Sequence, residues 1–144
     1  MSAGDTLAIG ARGLASFALA FAITQLVEVP IYAAALRGAT LPFLRKTLIS
    51  RVIFAFGASL LTHPFVWYVV PAAALAVHRA WVSLGGAPLG ELGRTLLYGA
   101  LAEGFAVIVE AFYLRCLRVR RALLVALFAN AASVIVGTIV VRLI

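Results

Sequence analysis

The chain has 144 residues, 65% of them hydrophobic and 12% charged, with a mean hydropathy of +1.12. That is about half the charge of a soluble domain, which excludes a soluble globular enzyme and a disordered tail. One cysteine excludes a disulfide-stapled module. The net charge of +7 would suggest nucleic acid in a soluble chain, but here it sits between long apolar runs and reports on membrane topology, so no nucleic-acid partner is expected.

Four apolar runs separate the basic residues: Leu14 to Leu36, Val52 to Val77, Thr95 to Leu114 and Ala122 to Val141. Each reaches the roughly 20 helical residues that cross a hydrocarbon core of about 30 Å. The loops are short and there is no internal repeat. The predicted fold is therefore all-α, one domain over residues 1–144, with four transmembrane helices in an antiparallel bundle.

The first run carries Thr24, Gln25 and Glu28, with Pro30 and Tyr32 close behind. Its Leu14–Val27 portion also has the length of a signal-peptide apolar region, and Ala33, Ala34 and Ala35 offer small residues for cleavage. The basic segment before it is poor, with only Arg12 against Asp5. The run is taken as a retained span.

The following loop holds Arg37, Arg45, Lys46 and Arg51. Thr40 is placed to cap a short helix with Pro42 near its first turn. Leu41, Phe43, Leu44, Leu48 and Ile49 alternate with the basic residues, as in an interfacial helix among anionic head groups; a plain basic loop is the competing reading.

The second run contains Ser59, Thr62, His63 and Pro64, then Trp67, Tyr68 and Pro71. A proline there removes a backbone hydrogen bond and frees a carbonyl one turn back, so a bend is expected beside His63. Trp67 and Tyr68 are expected to pack rather than wall a pocket. The next loop, with Trp81, Gly85, Gly86, Pro88, Gly90 and Gly93, reads as a flexible turn with one interfacial anchor and has no strand-to-helix context for binding phosphate.

The third run carries Glu103 and Glu110, seven residues apart, which puts them about 20° apart on one helix face. Ala100 and Gly104 make a small-residue pair beside them. Arg115, Arg118, Arg120 and Arg121 follow, with Cys116 among them; an unreactive thiol is the simpler reading, reversible acylation the alternative. The fourth run places Asn130 and Ser133 on one face, beside a small-residue ladder of Ala129, Ser133 and Gly137 expected to allow close backbone approach.

Counted from the basic-loop end of each run, Glu28, His63, Glu103, Glu110, Asn130 and Ser133 all fall roughly 6 to 17 Å deep. The bundle should therefore hold a polar interior slab in the half nearer those loops. No Lys or Arg lies inside a run to offset the acids, and a charge at such depth costs on the order of 3 kcal/mol.

The candidate ion- or proton-binding residues are Glu28, His63, Glu103, Glu110 and Asn130, supported by Thr24, Gln25, Thr62 and Ser133. A divalent metal held by Glu28, His63, Glu103 and Glu110 is one option, although neither HExxH nor ExxH spacing occurs. The leading expectation is a small transporter or channel-like subunit binding a cation or protons at a site open toward the basic-loop half. Glu110, nearest that boundary, is expected to be the wetted point of access. An intramembrane metal-dependent or acid–base enzyme acting on a lipid or membrane peptide is the second reading, with a glutamate activating water, His63 assisting and Asn130 stabilising an oxyanion. An accessory subunit of a larger membrane complex is the third, and hydrogen-bonded helix glue the plain alternative. So short a chain is expected to form a homo-oligomer or join partner subunits.

The two basic loops, Arg37 to Arg51 and Arg115 to Arg121, hold eight basic residues, against Arg12, Arg79, Arg94 and Arg142 on the other side. Lys and Arg are retained on the cytoplasmic side, which predicts both termini external, in a membrane such as the bacterial inner membrane. In a Cys116→Ser background, an impermeant thiol reagent applied to intact cells should label Ala87→Cys and spare Ala39→Cys; the opposite pattern would invert the topology.

Overall fold

The computed structural model describes the backbone of residues 3–143, with side chains from residue 13 onward except at 45, 46 and 141. The parts expected of the Arg12, Arg45 and Lys46 side chains lie outside those described. The described chain is helical without strands: α1 Ala3–Ala35, α2 Pro42–Lys46, α3 Leu48–Tyr68, α4 Val70–Ser83, α5 Glu91–Cys116 and α6 Ala122–Leu143. Four segments, Gly13–Gly38, Leu48–Tyr68, Glu91–Cys116 and Ala122–Val140, are long and apolar enough to cross a membrane.

The boundaries follow from local chemistry. Pro42 forces its predecessor into an extended conformation, and Leu41 (φ −75°, ψ 122°) therefore occupies the N-cap position of α2 without a side-chain cap. The cap expected from Thr40 is not formed. Thr47 caps α3 instead, its Oγ1 accepting from the Ser50 N–H at 3.2 Å.

The second predicted run is not one helix. Helix α3 passes unbroken through Pro64, as α1 does through Pro30. The interruption comes at Val69, two residues before Pro71, and the chain resumes as α4. Trp81 closes the next connection by donating from Nε1 to the Ala87 carbonyl at 2.9 Å, with its ring so close to Gly86 that a Cβ there would lie 2.2 Å from it. The glycine-rich turn is clamped to the tryptophan.

Helix α5 ends in a Schellman motif. The Arg118 N–H bonds to the Arg115 carbonyl and the Val119 N–H to the Leu114 carbonyl, with Leu114 and Val119 both buried. The chain turns through Arg118 at φ 58°, a left-handed conformation that costs a side-chain-bearing residue roughly 1 kcal/mol or more.

In the bundle, α1 packs between α3 and α6, and α5 packs between the same two. The four spans form a ring in chain order, neighbours antiparallel, with α1 diagonal to α5 and α3 diagonal to α6. Close approach is made by alanines, since Ala55, Ala58, Ala126 and Ala129 are fully buried. It is not made at Gly104 or Gly137, where an added Cβ would meet nothing within 4 Å, so the ladders expected there do not seat a neighbouring backbone. Gly57 makes room for a side chain instead: a Cβ there would lie 2.9 Å from the Tyr113 hydroxyl, which reaches past it to donate to the Phe54 carbonyl.

Packing is uneven along the bundle axis. At the basic-loop end Leu36, Ala39, Leu44, Leu114, Leu117, Val119 and Ala122 form a closed apolar layer. Toward the other end no described side chain is fully buried on α1 before Glu28, on α3 after Thr62, on α5 before Ala102 or on α6 after Ser133. The spans close at one end and leave a cleft at the other.

Replacing Arg118 with Gly removes the left-handed penalty while keeping the motif. The variant should be more stable by about 1 kcal/mol, read as a higher unfolding midpoint in mixed micelles; a lower midpoint would show that the guanidinium contributes more than the backbone strain costs.

Candidate functional site

Two carboxylates lie at the floor of that cleft, Glu28 at 2% and Glu110 at 1% exposure. An unpaired polar group at such depth costs several kcal/mol, and each carboxylate is met by donors from other helices. Glu110 on α5 accepts from the Tyr32 hydroxyl on α1, from Thr62 Oγ1 on α3 at 2.7 Å and from Asn130 Nδ2 on α6 at 2.6 Å. One side chain thus ties together all four spans. Tyr32 supplies the diagonal link, which short side chains would not bridge.

Glu28 on α1 accepts from Ser59 on α3 at 2.5 Å through Oε2 and from Ser133 on α6 at 2.7 Å through Oε1. The Asn130 amide is oriented by two acceptors, Glu110 Oε2 and the Ala126 carbonyl at 3.0 Å, so its nitrogen faces both. The 3.3 Å approach of Nδ2 to the Tyr32 oxygen is the weakest of its contacts.

A cavity of about 120 Å³ opens above this floor, lined by Thr24, Glu28, Thr62, His63, Val66, Glu103, Ala106, Glu110, Asn130, Ser133 and Val134. It has room for a few waters. The sequence-predicted residues Glu28, His63, Glu103, Glu110, Asn130, Thr24, Thr62 and Ser133 all reach it. Gln25 does not line it, and both Gln25 amide atoms are buried without a partner. Thr24 and Gln25 are adjacent on α1 and project about 100° apart, so only Thr24 shares the face of Glu28.

Several expectations are corrected. Glu110 is not the wetted point of access: it is the most enclosed of the acids, because the apolar layer of Leu36, Leu114 and Leu117 lies between it and the basic loops. The same layer closes the cavity on that side, so the site does not open toward the basic-loop half. Glu103 takes the accessible place, half-buried and with no hydrogen-bond partner among the described residues.

His63 lines the cavity but its ring packs against Phe17 and Phe21, with centroids at 5.2 and 5.0 Å, and it makes no hydrogen bond to a glutamate. Its Nε2 is buried without a partner. Trp67 and Tyr68 pack on Phe17 and do not line the cavity. Among the described residues no group of three or more His, Cys, Asp or Glu side chains is placed to hold a metal ion. The Glu28 and Glu110 oxygens are occupied by donors, which compete with a metal for the same lone pairs.

Tyr32 and Ser59 join the network although neither is among the candidate site residues; in the sequence each lies one turn from a candidate, Tyr32 from Glu28 and Ser59 from His63. Their spacing to acids on the same or facing helix is a usable signal once helix pairing is known. No protein-family model, curated protein or solved structure matches the chain.

The network predicts unequal tolerance. Glu110→Leu leaves the Tyr32 hydroxyl without its acceptor and removes one of the two acceptors of the Asn130 amide, and should cost about 1–3 kcal/mol for each. Glu103→Leu breaks no hydrogen bond and should change stability by less than about 0.5 kcal/mol. Unfolding midpoints of the two variants in mixed micelles check this; equal losses would remove Glu110 from the centre of the network.

Proposed function

We propose that this membrane-spanning protein is a proton-binding subunit of a transporter or channel-like assembly, with Glu28 and Glu110 as the groups that take up and release the proton. One observation carries the reading: at each carboxylate one facing hydroxyl, Thr62 at Glu110 and Ser133 at Glu28, has a second acceptor on its own helix. Thr62 Oγ1 lies 2.7 Å from Glu110 Oε1 and 3.2 Å from the Ser59 carbonyl. Ser133 Oγ lies 2.7 Å from Glu28 Oε1 and 2.9 Å from the Asn130 carbonyl.

A hydroxyl has one hydrogen to donate and lone pairs to accept with. When the carboxylate is ionised, the hydroxyl donates to it. When the carboxyl is protonated, the hydroxyl turns to its own carbonyl and accepts the new proton. Both states of each acid are thereby satisfied by rotation of an O–H bond, with no helix displaced.

The proton route supported by the packing is from the cleft, past Glu103 and through the cavity, to the floor. The apolar layer beyond the floor makes a single chain half of a path, which supports a second copy or partner subunit for passage across the membrane. An enzyme acting through a metal has no comparable support, because the ligand set is incomplete among the described residues.

Infrared difference spectra of the protein in nanodiscs across a pH series test the reading. Wild type should show carboxylic C=O bands that appear and vanish reversibly with unchanged helix content. Glu28→Gln and Glu110→Gln, in which an amide imitates the protonated acid, should fold and each lose one component. Thr62→Val should move the Glu110 component to higher frequency by removing its hydrogen bond. Carboxyl bands that do not respond to pH in wild type would refute proton binding.

A further inference from the structure

A groove of about 320 Å³ runs along the seam of α5 and α6, walled by Val107, Leu127, Ala131, Val134 and Ile135, and it shares Glu103, Asn130 and Val134 with the cavity. Its size lies within the range of about 300–1,000 Å³ usual for small-molecule sites. The apolar walls lead directly to two polar side chains.

Those two side chains present acceptors only. The Glu103 carboxylate has no hydrogen-bond partner among the described residues. Both Asn130 N–H groups are engaged by Glu110 and Ala126, and the Asn130 amide oxygen has no hydrogen-bond partner among the described residues. No Lys or Arg lines the groove or the cavity. A ligand that satisfies this mouth carries N–H donors and positive charge, and one that reaches it through the groove carries an apolar chain. A second copy of this chain would bring no cation to that depth, because residues 52–78, 95–114 and 122–141 contain neither Lys nor Arg.

We propose that the α5–α6 groove admits a lipophilic ammonium from the bilayer, whose N–H groups bind the Glu103 carboxylate and the Asn130 amide oxygen while its chain lies along Leu127 and Ile135. This names a substrate class for the cavity and rests on the proton-binding reading only for what exchanges with the amine. The pairing is charge-assisted, so it discriminates cation from neutral amphiphile. Ammonium arriving at Glu103 and a proton leaving Glu28 or Glu110 keep the charge of the cavity constant.

The test uses the full chain in nanodiscs with radiolabelled dodecylammonium as probe, and dodecanol and dodecyl sulfate as competitors. Wild type should bind the amine saturably at one per chain, and neither competitor should displace it. Glu103→Gln should weaken binding about tenfold to a hundredfold. Ala131→Trp, which fills the groove without touching the carboxylates at the floor, should abolish binding yet leave the pH-dependent carboxyl bands in place.

Non-saturable uptake identical in wild type and Glu103→Gln would overturn the proposal. So would displacement by dodecanol, or efficient cross-linking between chains carrying Leu127→Cys, which would show the groove covered by another copy. Loss of the carboxyl bands' pH response with amine binding intact would instead refute the proton reading alone.

Discussion

The Glu110 carboxylate is the fixed point of this molecule. In hydrocarbon a polar group finds no water, so every donor and acceptor must be matched inside the protein. One carboxylate on α5 matches a hydroxyl from α1, a hydroxyl from α3 and an amide from α6. Each of those bonds fixes the axial register of a helix, since a slip of one turn moves a donor by about 5.4 Å. Glu28, with Ser59 and Ser133, repeats the constraint between α1, α3 and α6. Registers set in this way are specific where packing of Leu against Leu in lipid would not be.

The rest of the architecture accommodates these two knots. Short bonds across a four-helix ring require the helices to come close, and buried alanines at 55, 58, 126 and 129 permit it. Below the knots the Leu36, Leu44 and Leu114 side chains fill the space between helices and exclude water. Above them no described leucine of the four spans is buried, and a cavity remains there that shares Glu103, Asn130 and Val134 with a groove in the α5–α6 seam. A polar floor beneath an open cleft is the direct result of ending the apolar packing at the level of the acids.

Glu103 and Glu110 show how far helical periodicity reaches. Seven residues apart on α5, they face the same way and line the same cavity. Yet Glu110 is enclosed by four helices while Glu103 has no partner among the described residues, because the bundle has already parted at its level. The same side chain, on the same face two turns along, belongs to the buried network in one case and to the accessible mouth in the other.

The sequence alone determined the all-helical membrane fold, since runs of about 20 apolar residues between basic loops have no other stable arrangement in a bilayer. It also determined which polar residues share a depth, because depth along a helix is counted from its end, and Glu28, His63, Glu103, Glu110, Asn130 and Ser133 do line one cavity. Tertiary structure decided the rest. Which helix faces which, and hence that Tyr32 crosses the diagonal and Ser59 meets Glu28, is a matter of interhelical rotation that no periodicity within one helix specifies. That Glu110 is sealed and Glu103 open depends on Leu36, Leu44 and Leu114 converging from three separate segments. The rank order of depth read from the chain was reversed in exposure because an apolar layer closes the bundle at the basic-loop end, and only the packing of all four spans establishes which end is closed.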